Sequence, residues 1–114
     1  MTKFFTIDLE EPCDGFGTGL KCPSCGESNL HQGAVNVWNR AQEDSNTGLA
    51  ACIDGQEGYV GKDERMTGNP SFRRDGMTID FSCEHCEGGR TLAIFQHKGT
   101  TYLKWTKVFE NVAG

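Results

Sequence analysis

Two cysteine pairs constrain this chain more than anything else in it. Cys22-Pro23-Ser24-Cys25-Gly26 is one and Cys83-Glu84-His85-Cys86 is the other, each with two residues between its cysteines. That spacing lets two thiolates leave one tight turn side by side, with backbone N–H groups aimed at the sulfurs. Pro23 presets the first turn and Gly26 permits the positive φ that follows it. Two such knuckles supply four sulfurs, the tetrahedral set that one Zn²⁺ takes in structural sites, and Cys22, Cys25, Cys83 and Cys86 are therefore the expected ligands. A disulfide framework and two unrelated reduced pairs are the competing readings. Four sulfurs leave no position for water, which makes the zinc structural rather than catalytic. The knuckles stand 57 residues apart, whereas a simple zinc ribbon closes over roughly 15–20. Loop-closure entropy grows only logarithmically, so the long gap costs little extra. Metal binding should then be coupled to the folding of much of the domain.

The gap and the segment after it read as short strands. At 114 residues the chain is one domain, 1–114, and its 15 glycines against 3 prolines favour turns between strands over helices. Phe5, Ile7 and Leu9 alternate with polar residues in the run 3–9, which predicts a strand. A second is expected over Leu30–Arg40, with Gly33 as a bulge. A third over Leu49–Ile53 pairs with the segment around Tyr59-Val60, and residues 61–76 form the longest loop. Met77, Ile79, Phe81 and Cys83 alternate with Thr78, Asp80 and Ser82, so this strand carries Cys83 on its apolar face. Residues 90–109 form a hairpin about Lys98-Gly99, with Phe95 opposite Tyr102 and Ile94 opposite Leu103. The fold class is mostly β: a zinc-ribbon-like core with two CxxC knuckles, enlarged by additional antiparallel strands and a C-terminal β-hairpin.

Charge bears on partners. The net charge is −5, and four thiolates around one Zn²⁺ would add about −2, which disfavours general affinity for nucleic acid. The balance is uneven, because Arg90 to Lys107 holds four bases and no acid. A local basic face with Phe95, His97, Lys98, Tyr102 and Lys104 is therefore an alternative surface for single-stranded nucleic acid. Arg73 and Arg74 lie in the long loop and either grip a partner or pair with Glu43 and Asp44, the latter being favoured. His31 and His97 have no nucleophile or carboxylate at a recognisable spacing, His85 is expected beside the zinc rather than on it, and no catalytic constellation can be assembled. Cys52 reads as a buried small hydrophobe and Cys13 as a loop thiol. Three alternate glycines in 13–19 read as a flexible loop. No leader-like start and no run of about 18 apolar residues is present. The expected setting is a reducing cytoplasm, away from membranes.

The motifs also resemble a family. Cys22-Pro23-Ser24-Cys25-Gly26, Leu30-His31, Val35-Asn36-Val37, Arg40 with Glu43-Asp44, Asn69-Pro70-Ser71 with Arg73-Arg74-Asp75-Gly76, Phe81-Ser82-Cys83-Glu84-His85-Cys86 and the stretch Gln96–Trp105 together resemble small, largely uncharacterised zinc-ribbon proteins of bacteria, their phages and mobile elements. The resemblance spans about residues 20–106 and implies the four-cysteine metal site. It brings no activity. The expected function is that of a non-enzymatic zinc-binding module that binds another protein. Nucleic-acid binding through the 90–107 hairpin, or antagonism of a host defence enzyme, are the alternatives.

Overall fold

The computed structural model describes residues 17–108 and, before them, Ile7, Leu9, Glu10 and Gly15. Six strands form one antiparallel sheet: β1 (Leu30–Arg40), β2 (Gly48–Ile53), β3 (Gly58–Asp63), β4 (Gly76–Cys83), β5 (Gly89–His97) and β6 (Thr100–Val108). Their order across the sheet is β3-β2-β1-β4-β5-β6. The described residues contain no helix, and so none long and apolar enough to cross a membrane. The strand expected over 3–9 lies almost wholly outside the described residues, as does Cys13; from that strand, Leu9 bridges Leu20.

Local chemistry sets the turns. Lys98 and Gly99 take φ values of 49° and 81°, the two positive angles that a two-residue hairpin needs to match strand twist. Phe95 then opposes Tyr102 and Ile94 opposes Leu103. At the β2–β3 turn the Asp54 carboxylate accepts the amides of Gln56 and Glu57 at 3.0 and 2.8 Å, an Asx turn that stands in for backbone pairing. The β1–β4 register shifts between Gln32 and Val35, the bulge expected at Gly33.

Directly opposed residues share a face of the sheet. One face collects Val35 and Val37 (β1), Leu49, Ala51 and Ile53 (β2), Val60 (β3), Met77, Ile79, Phe81 and Cys83 (β4), Arg90, Leu92 and Ile94 (β5), and Leu103 and Trp105 (β6). This face is buried where it meets the first knuckle, around Arg90, Leu92 and Trp105, with Phe81 edge-on to Trp105 at 6.0 Å. Towards β3 it lies open: Ile53 is 61% and Val60 72% exposed.

The opposite face is covered around Trp38 by the β3–β4 connection. Because β3 is the sheet edge and β4 lies beyond β1, residues 64–75 must cross two strands. They do so over Trp38, and Met66 is buried there. Gly68, at φ +90°, passes so close that a Cβ would stand 2.9 Å from the Trp38 ring. The loop expected over 61–76 is therefore shorter, because Gly61, Lys62 and Asp63 extend β3; their turn-like composition is overridden by pairing with Gly48, Leu49 and Ala50. What remains is a strap held by its own hydrogen bonds. Ser71 Oγ donates to the Gln96 carbonyl at 2.7 Å, and Asn69 Nδ2 donates to the Arg74 carbonyl at 3.0 Å. Arg40 donates from Nε to the Arg74 carbonyl and from one terminal nitrogen to the Ser71 carbonyl, both at 2.8 Å, and from the other to the Ser45 carbonyl.

Candidate metal centre

The sheet brings the two knuckles together. Leu30, five residues after Cys25, opposes Cys83 in the β1–β4 ladder, so the turn before β1 and the turn after β4 sit at the same end of neighbouring strands. Each knuckle is built the same way. The Ser24 amide donates to Cys22 Sγ and the His85 amide to Cys83 Sγ, both at 3.4 Å. Gly26 takes φ +78° and its amide donates to the Cys22 carbonyl at 2.9 Å. The knuckles are also laced outside the sulfurs. The Glu84 amide donates to the Asn29 carbonyl at 3.1 Å, Asn29 Nδ2 meets His85 Nε2 at 2.9 Å, and His31 Nε2 meets the Glu84 carboxylate at 2.8 Å. His85 and His31 are thus engaged with these neighbours, on the exposed rim.

The ligand atoms of Cys22, Cys25, Cys83 and Cys86 all lie within 4.8 Å of one another, and Cys25 Sγ is 3.6 Å from Cys83 Sγ. A regular tetrahedron with Zn–S bonds of about 2.3 Å has sulfur–sulfur edges of about 3.8 Å. The set therefore fits a divalent metal. All four cysteines are free thiols. Cys22 and Cys83 are buried, Cys86 is half-buried and Cys25 faces solvent.

The electrostatics of the bare set ask for a cation. Burial works to raise the Cys22 pKa, but amide donors from Cys25 and Ser24 and the neighbouring thiols outweigh it and lower the value to about 6. Burial, with Cys25 and Cys22 alongside, pushes Cys83 up. Burial, then contact with Cys25 and Cys83, pushes Cys86 up to about 12. One thiolate forms readily and its charge opposes the next. All four ionise together only with a cation among them.

The other predicted residues fall into two groups. Arg73 and Arg74 form the ion pairs expected of them: Arg73 makes a fork to the Asp44 carboxylate, with its second bond at 2.9 Å, and Arg74 lies 3.3 Å from Glu43. The Arg73 fork is about half exposed, at 49% and 50% for its two side chains. With Lys98 they border a cleft of about 370 Å³. Phe95, His97, Tyr102 and Lys104 lie along the hairpin on the strap side, where Phe95 stacks on Tyr102 at 5.7 Å and His97 stands 6.4 Å from the Tyr102 ring. Cys52 is half-buried rather than part of a core.

Two residues escaped the sequence reading. Arg40 looked like a polar strand end and proves to anchor the strap. Arg90 was counted in a basic face but is 1% exposed, on the face that the first knuckle covers. The basic surface of the hairpin is consequently Lys98, Lys104 and Lys107. Compared with family models, with curated proteins and with solved structures, the chain matches none of them.

Proposed function

We propose that this chain is a zinc-stapled, non-enzymatic module that binds another protein in the cytoplasm. The four-sulfur cluster carries the reading. One zinc on Cys22, Cys25, Cys83 and Cys86 would be closed by its own ligands and would serve folding. The zinc-ribbon character of the core, and kinship with zinc-ribbon proteins of bacteria and their phages, belong to the same proposal. Antagonism of a host defence enzyme is then one form the protein partnership takes.

The partner is an extended segment of another protein, added to the free edge of β3. Tyr59 and Val60 are exposed on opposite faces of that edge, and the open apolar face continues into Ile53 and Leu49. Strand addition uses such an edge for affinity and the alternate side chains for specificity.

Elemental analysis under reducing conditions should give one zinc per chain. A photo-cross-linker at Lys62 should give a discrete adduct with one partner, lost on Val60→Lys, while one at Lys104 should give none. Absence of metal, absence of a β3 adduct, or turnover lost on a single change away from the cysteines would overturn the reading. Exposed Tyr102 and Lys104 on the hairpin favour a second reading, single-stranded nucleic-acid binding. It requires a salt-sensitive affinity that Tyr102→Ala weakens.

A further inference from the structure

We infer that Arg90 is the counter-ion of the metal centre: its buried guanidinium offsets the excess negative charge that four thiolates carry around one divalent cation. The inference rests on the zinc reading above. Arg90 is one of the two largest fully buried side chains among the described residues, the other being Cys22. A guanidinium stays charged at any pH at which the chain is folded, and a buried charge is strongly unfavourable unless it is paired. Yet among the described residues no carboxylate lies within 4.0 Å of it. Glu87, the acid closest in sequence, is exposed and makes no ion pair with it; Asp80 accepts the Thr91 hydroxyl at 2.7 Å, and Glu84 faces His31.

What Arg90 does touch belongs to the knuckles. One terminal nitrogen donates to Ser24 Oγ at 3.2 Å and the other to the Gly88 carbonyl at 2.8 Å. Ser24 sits between Cys22 and Cys25, and Gly88 follows Cys86 by two residues. Both acceptors are neutral, so neither balances the charge, and Nε has no acceptor. Trp105 Nε1, the other buried donor without an acceptor, stands on the same face. Among the described residues, then, a buried cation without a carboxylate partner stands against the knuckles, where four thiolates and a divalent ion would leave a net charge of about −2. Each charge supplies what the other lacks. Arg90 is a positioning residue in this sense: its charge is held against the two knuckles that the metal would join.

The test is zinc affinity of the full chain under reducing conditions, by competition with a chromophoric chelator, for the wild type, R90K and R90Q. Loss of a supporting partner of this kind weakens metal binding about 10- to 100-fold, which is the result expected for R90Q. R90K, which keeps the charge and loses the fork, should recover most of that affinity. R90Q binding as tightly as the wild type overturns the inference. So does R90K falling as far as R90Q, which would place the effect in the tether to Ser24 and Gly88; this comparison decides the matter even if R90Q does not fold. A wild type that takes up no zinc would remove the zinc reading itself and this inference with it, whereas a tight wild type with an equally tight R90Q removes only the inference.

Discussion

Arg40 and Arg90 perform the same mechanical task at opposite ends of the sheet, and their surroundings differ. Arg40 ties the strap to β1 by donating to three backbone carbonyls, and the Asp75 carboxylate accepts its amide at 2.8 Å. Arg90 ties the first knuckle to β5 with two neutral acceptors and an idle Nε. At the strap end every guanidinium nitrogen of Arg40 has an acceptor, and the Asp44 carboxylate feels its charge. At the knuckle end, among the described residues, a buried guanidinium without a carboxylate partner stands beside four clustered thiols. One end is tied by hydrogen bonds alone, and the other presents four thiols that could hold a metal ion.

Removing the metal should break this symmetry most. A site saturated a thousandfold over its Kd contributes about 4 kcal/mol to stability, and each kcal/mol moves the Tm of a domain of this size by about 4–8 °C. Chelation should therefore lower the Tm by about 20 °C or more, read by circular dichroism. Amide exchange should rise first in residues 20–30 and 83–90. Equal loss of protection in 64–75 would show that the two ends are not independent.

Arg40→Met probes the other end. It strands three carbonyls, two of them on the strap, and each buried unpaired group costs about 1–3 kcal/mol. The urea midpoint of the zinc-loaded protein should fall by about 3 kcal/mol or more in stability, with zinc affinity unchanged. A parallel loss of zinc affinity would contradict the division.

Gly68→Ala is gentler. The positive φ and the 2.9 Å approach to Trp38 together should cost about 1–3 kcal/mol, again without effect on the metal. The smallest change is expected from Asp44→Asn. Its bond to Arg73 holds the Asp44 carboxyl below the usual carboxylate range. A depressed pKa contributes stability that is present above the unfolded value, near 3.9, and is lost as pH falls through the folded one. The variant should be nearly neutral at pH 7 and should show a shallower loss of stability below about pH 4 than the wild type.

Much of this architecture was legible because it is local. The CxxC turns, the Lys98-Gly99 hairpin with its register, and the alternation that delivers Cys83 each depend on residues a few positions apart. The pairing of Arg73 and Arg74 with Glu43 and Asp44 followed from charge and loop position. The strand order was not legible, because nothing in residues 64–75 announces that they cross two strands before β4 begins. Gly61-Lys62-Asp63 read as a turn because composition is silent about the partner that β2 provides. Arg90 was misplaced for a similar reason: within the segment 90–107 it looks like the first of four bases, and its bond to the distant Ser24 is not announced locally. Arg40 likewise depends on carbonyls of residues 45, 71 and 74, which sequence alone does not bring together.

The 57 residues between Cys25 and Cys83 have a further consequence, in time rather than in space. At synthesis rates of about 5–20 residues per second, the first knuckle waits roughly 3–11 s for its partners after it is made. Throughout that interval β1 has only the β2–β3 hairpin beside it, and its Cys83 side is an unpaired edge. The centre closes only after β4 has docked, so metal capture is the late, committing event of biosynthesis. A cell short of zinc would accumulate chains in which β4 has docked but the four thiols stand without a metal, a form that chaperones and proteases could tell from the finished protein.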